Sequence, residues 1–205
     1  CKFSEAFHAE DNTLLSESMN WRTPVHFRNR MTPQPAYSEF LELASRGNLI
    51  PVYADVMADV LTPVAAYAKL SVAKPAFLFE SVVGGEQVSR YSFLGCNPSK
   101  VIAVKGNEAV VRHRDGKIET HPAPADPLSL VEEELKSCNP APPPGMPRFS
   151  GGAVGYLSYE YATCVEPSVS RPEVDSLGLP MLYFLVAESV VIFDHAKQML
   201  RICVH

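Results

Sequence analysis

The pair Asp115-Gly116, lying between the short runs Ala109–Arg114 and Lys117–Thr120, constrains the fold of this chain more than any other two residues. Asp-Gly between strand-like runs is a strong two-residue hairpin signal, because both residues accept the backbone angles of a tight reversal. A hairpin makes its strands antiparallel. The same alternation of short apolar run and turn recurs along the chain. Phe77-Leu78-Phe79, Tyr91–Leu94, Val101–Val104, Met181–Val186, Ser189–Phe193 and Gln198–Val204 read as strands, with Asp194–Lys197 as the turn joining the last two. Leu49–Tyr53 reads as one more, and its Pro51 suggests a sheet edge.

Three segments carry helical signals instead. Ala36–Arg46 spaces Tyr37, Phe40, Leu41 and Ala44 on one helical face, with Gly47 suited to the position after the last turn. Thr62-Pro63 supplies an N-cap and a first-turn proline for the run to Leu70. Asp126-Pro127 begins a third helix with Leu128, Val131 and Leu135 inward; its Glu132-Glu133-Glu134 run reads as a solvated face. Strands and helices do not alternate one by one, so βαβ units are excluded. The expected class is α+β, with mostly antiparallel β-sheets packed together and helices flanking them.

Composition narrows the functional classes. A net charge of −5 argues against a nucleic-acid or anionic-membrane surface. No apolar run approaches the ~20 residues that span a bilayer. The five cysteines (1, 96, 138, 164, 203) include no C-x-x-C pair, which fits reduced thiols in a cytoplasmic setting better than a disulfide framework or zinc site. Residues 1–30 show no sustained period, and they read as a disordered extension ahead of a domain over 31–205. Their acidic residues are unlike a transit peptide. Asn139–Gly145 is a stiff proline-rich connection between two layers of one domain.

The most informative chemistry lies between residues 76 and 95. The run Phe77–Phe79 ends at Glu80 and Ser81, Gly84-Gly85 permits a reversal, and Ser89 and Arg90 precede the next strand at Tyr91. A carboxylate, hydroxyls and a guanidinium at neighbouring strand ends suit a zwitterionic amino acid, the anion meeting its ammonium and the cation its carboxylate. The competing reading is a solvated surface pair worth under about 1 kcal/mol.

The segments Phe77–Ser81 and Gly84–Gly95 resemble the N-terminal region of anthranilate synthase component I. Arg46–Tyr53, Leu61–Val64, Gly151–Tyr159 and Val190–His195 extend that resemblance in the same order, so it covers residues 31–205. It implies antiparallel sheets packed face to face, and a role in converting chorismate and ammonia or glutamine to anthranilate, the first step of tryptophan synthesis. It further implies that Glu80, Ser81, Ser89, Arg90 and Tyr91 line a regulatory L-tryptophan pocket. The glycines at 151, 152 and 155 would permit close backbone packing, and Tyr156 and Tyr159 would be structural.

Within the chain itself no catalytic residues and no carboxylate cluster for a metal can be assigned. The resemblance places catalysis, with its Mg²⁺, in a C-terminal region that these residues do not contain. The segment alone is therefore expected to be inactive, and to expose an apolar sheet face. A glutamine amidotransferase subunit (component II) is the implied partner. Three alternatives stay open: aminodeoxychorismate synthase component I, a stand-alone amino-acid sensor, and an interaction module without catalysis.

Overall fold

A computed structural model of the chain describes residues 32–58, 60–72, 75–80, 90–166, 168–170, 175 and 177–205. The extension at 1–30, the reversal at Gly84-Gly85, and both Ser81 and Ser89 lie outside the described residues.

Among the described residues, ten strands form two five-stranded sheets. The first has the order β1-β10-β9-β3-β2, from Val52–Met57, Met199–Val204, Ser189–Asp194, Tyr91–Cys96 and Ala76–Phe79. The second has the order β6-β5-β4-β8-β7, from Ile118–Pro122, Glu108–His113, Lys100–Lys105, Leu182–Ala187 and Gly152–Leu157. Every pairing within them is antiparallel. Two chain segments pass from one sheet to the other. β3 turns through Asn97, at φ +52°, into β4, and β8 runs through Glu188 into β9. With helices α1 (Tyr37–Ala44), α2 (Pro63–Leu70), α3 (Ser129–Lys136) and the single turn α4 (Ala162–Val165), the class is α+β, as the turn rhythm required.

Alternation along the strands gives each sheet two faces with different covers. One face of the first sheet buries Leu94, Val191, Phe193 and Leu200 against Ala66 and Leu70 of α2. That helix begins where the sequence says it should, with Thr62 Oγ1 accepting the Ala65 N–H at 3.2 Å. The opposite face carries Val190, Ile192 and Cys203, with Met146 and Phe149 of the segment after the prolines packed against it. The second sheet buries Ile102, Val104, Ala109 and Leu182 against Val131 of α3, beside Leu128 and Leu135. That is the inward face its spacing predicts.

Local signals miss where distant packing decides. Strand β1 starts at Val52, beyond most of the Leu49–Tyr53 run, because Pro51 carries no N–H and Leu49 bridges Pro140 instead. β1 does lie at a sheet edge. In α1 the buried residue is Leu43, whereas Tyr37 is 76% and Leu41 51% exposed, so the apolar stripe does not face the core. Gly47 is needed for close approach: a Cβ there would meet the Asn139 carbonyl oxygen. The Asp115-Gly116 hairpin has a three-residue loop rather than two. His113 N–H bonds to the Lys117 carbonyl, Gly116 N–H bonds back to the His113 carbonyl, and within the loop Gly116 alone takes positive φ, +93°.

Candidate functional site

Glu80, Arg90 and Tyr91 lie at the same end of the β2–β3 pair, but only Arg90 and Tyr91 line a common cleft. Phe79 is the last β2 residue in register, opposite Phe93, so Glu80 follows at the end where β3 begins with Tyr91. Glu80 is exposed. Ser81 and Ser89, the other two expected ligand residues, lie outside the described residues.

Arg90 is partly exposed, and its guanidinium is already engaged. Its Nε donates to Asp194 Oδ1 at 3.0 Å and its Nη2 to Asp194 Oδ2 at 2.7 Å, a bidentate pair across 104 residues of sequence. The guanidinium carbon sits 4.9 Å above the centroid of the Tyr91 ring. Hydrogen bonding from Arg90 holds the Asp194 carboxyl below the usual carboxylate range, and the same bond raises the Arg90 pKa. The turn after Asp194 adds two contacts: His195 N–H donates to the Arg90 carbonyl at 2.9 Å, and the Ser92 hydroxyl lies 2.8 Å from His195 Nε2.

A second pair of the same shape lies across the sheet. Arg201 on β10 donates through Nε and Nη2 to Asp55 on β1 at 2.7 and 2.8 Å, and its guanidinium carbon stands 4.0 Å above the Tyr53 ring. Its remaining Nη1 meets the thioether of Met146 at 3.2 Å, a weak acceptor. Asp55, Arg90, Tyr91, Asp194, Lys197 and Arg201 line one small cleft, open to solvent and bordered by Gly145 and Pro147. Three cations against two carboxylates leave its wall net positive, with two aromatic rings beneath the guanidinia.

These groups can bind and orient a small polar ligand; they do not assemble a nucleophile. Ser92 and His195 are hydrogen-bonded in the manner of a serine–imidazole pair, but Ser92 is 0% exposed and the adjacent Asp194 is committed to Arg90. The pair is a latch between strands. Among the described residues, no three His, Cys, Asp or Glu side chains converge in a way that would hold a metal ion. No described helix is long and apolar enough to cross a membrane.

Asp55, Asp194 and Arg201 are paired cleft residues that sequence reasoning missed, with His195 behind them on the other sheet face. Their partners are 104 and 146 positions away, beyond the reach of any local pattern. The one available signal is Asp194-His195 at the end of the Val190–Phe193 strand, which in the sequence reads only as a turn.

The chain is similar to known proteins over most of its length. The chain is 41% identical over 174 residues to a probable anthranilate synthase component 1 of Schizosaccharomyces pombe, covering 83% of this chain and 32% of that protein. It is 37% identical over 174 residues to anthranilate synthase component 1 of Acinetobacter calcoaceticus, covering 82% of this chain and 35% of that protein. The Synechocystis protein of the same name is 39% identical over 165 residues, covering 80% of this chain and 32% of that protein. The chain thus spans about a third of the length of these relatives. Among solved structures it is similar to anthranilate synthase component I from Streptococcus pneumoniae, with 27% identity, a TM-score of 0.46, and coverage of 73% of this chain and 31% of that one. No family model matches the chain.

Proposed function

We propose, for a chain homologous to anthranilate synthase component 1 over about four-fifths of its length, that it is the regulatory N-terminal part of such a synthase. The whole protein would convert chorismate, with ammonia or glutamine as nitrogen donor, to anthranilate, and this segment would sense L-tryptophan. The single observation that carries the reading is the 41% identity over 174 residues. The cleft supports it, since carboxylates, guanidinia and aromatic rings at one strand end are complementary to an aromatic zwitterion.

In this reading Glu80 and Ser81 meet the effector's ammonium, with Ser89 beside them. Arg90 serves its carboxylate side mainly by orientation, because two of its nitrogens are already held by Asp194. Arg90 and the Tyr91 ring both line the cleft. Tryptophan that prefers the less active arrangement lowers chorismate affinity, and chorismate lowers tryptophan affinity by the same factor; such couplings are typically about 1–3 kcal/mol. Mg²⁺ belongs to the rest of the protein, as do the catalytic groups; the described residues offer no donor set that fits it. A glutamine amidotransferase subunit is the partner that would supply ammonia.

The test is to assay the intact protein with chorismate, Mg²⁺ and ammonium, following anthranilate fluorescence while L-tryptophan is titrated. Anthranilate formation with tryptophan inhibition is expected, and Ser81→Leu should retain formation while losing inhibition. A Ser81→Leu protein inhibited as strongly as wild type refutes the site. An aminodeoxychorismate product refutes the assigned reaction.

A further inference from the structure

The grip on residues 90–92 is tighter than strand pairing alone requires, and it comes from one turn. β2 pairs with β3 only as far as Phe79↔Phe93, whereas β9 pairs on to Tyr91↔Asp194. Beyond the Phe93 rung, among the described residues, β3 is therefore held from the β9 side. The extra contacts all come from Asp194 and His195. Asp194 shares a sheet face with its pairing partner Tyr91 and fixes the Arg90 guanidinium by two hydrogen bonds above the Tyr91 ring. Ser92 points to the other face, and there His195 Nε2 takes up its hydroxyl, while the His195 N–H donates to the Arg90 carbonyl. The strand end is thus clasped from both faces at once.

We propose that Asp194 and His195 are positioning residues for the amino-acid effector, setting the orientation of Arg90 and the Tyr91 ring in the cleft. This rests on the tryptophan-sensing reading above. A guanidinium free to rotate must be ordered when the ligand binds. One already held through Nε and Nη2 presents its Nη1 edge in a fixed direction, so less ordering entropy is lost on binding. The Lys100–Glu134 pair, a single 2.7 Å contact between the second sheet and α3 away from the cleft, supplies the control.

The experiment measures tryptophan inhibition of the intact protein for Asp194→Asn, Asp194→Glu, His195→Gln, His195→Ala and Glu134→Gln, with the melting temperature of each. Asp194→Asn and His195→Ala are expected to weaken inhibition by about tenfold, with Asp194→Glu and His195→Gln recovering much of it, because they restore the charge or a side-chain hydrogen bond to the Ser92 hydroxyl. Glu134→Gln should leave inhibition unchanged. If Asp194 acts through Arg90, adding Asp194→Asn to Arg90→Gln costs no further sensitivity. Wild-type inhibition in Asp194→Asn, or fully additive losses in the double variant, would overturn the assignment. Should Asp194→Asn fail to fold, His195→Ala and His195→Gln carry the same comparison. A wild-type protein that tryptophan does not inhibit at all overturns the sensing reading itself, and this inference falls with it.

Discussion

Gly155 shows how a single missing methyl group shapes this molecule. A Cβ there would overlap the Tyr183 carbonyl oxygen and the Phe184 Cα, both backbone atoms of the neighbouring strand, which cannot swing aside as a side chain would. Gly155→Ala therefore has to push β7 off β8, at a cost of about 3 kcal/mol. Gly106 tests the other use of glycine. Its φ is +58° and nothing lies within 4 Å of where an added methyl group would stand, so alanine costs only the left-handed strain, about 1 kcal/mol. Thermal unfolding should separate the two, Gly155→Ala losing about 6 °C or more and Gly106→Ala about 3 °C. Cysteines divide as sharply. Burial pushes the Cys203 thiol up to about 12, whereas Cys138 is exposed. Alkylation of the native protein at a pH of about 8, read by peptide mass spectrometry, should label Cys138 and leave Cys203 unmodified; equal labelling would mean the β10 core opens readily.

At the scale of elements, what is legible in the sequence is whatever a few adjacent residues decide. Thr62-Pro63 starts α2 because the hydroxyl and the missing N–H act within one turn, and Asp115-Gly116 closes a hairpin because Gly116 accepts the positive φ needed there. The third loop residue is hidden because Asp115 keeps negative φ, and nothing in its identity forbids that. β7 does not read as a strand, because Gly151, Gly152 and Gly155 suppress its strand propensity; the close backbone packing that the resemblance implies is present at Gly155, against β8. The site is legible to the same extent. Arg90 and Tyr91 stand out locally, but Asp194 belongs to a strand pairing 104 residues away. That pair makes its own prediction. Because Arg90 holds the folded-state Asp194 pKa below the usual value, the unfolded chain binds this proton first as pH falls below about 4. The stabilisation is complete above that pH and is lost on further acidification. Asp194→Asn should therefore lower the melting temperature at neutral pH and narrow the difference from wild type at a pH of about 3; a constant difference across that range would show that the pair contributes no proton linkage.

Viewed whole, the molecule has two sheets whose outer strands β2 and β7 approach one another along an open apolar groove. Phe79, Phe93 and Phe149 form one wall, and Ala153, Val154, Gly155 and Phe184 the other. Phe93 and Phe149 meet edge to face at 5.5 Å, but Phe79 is 52% exposed, Tyr156 40% and Leu157 36%. Soluble monomers rarely leave a contiguous apolar patch of this kind beside an unpaired strand edge, because each is a template for another chain. In a protein of the relatives' length, roughly three times this chain, there is ample further polypeptide to cover the groove. Among the described residues no element lies over it. Light scattering after size exclusion should therefore find the isolated chain self-associated at micromolar concentration and binding an apolar dye. Phe79→Lys places a charge at the groove rim without disturbing the buried Leu94 and Val191 layer beneath, so it should shift the chain toward monomer and reduce dye binding while keeping the melting temperature. A wild-type chain that elutes as a dye-free monomer would show instead that the groove closes on itself, and the two sheets would then pack more tightly at β2 and β7 than their side chains here allow.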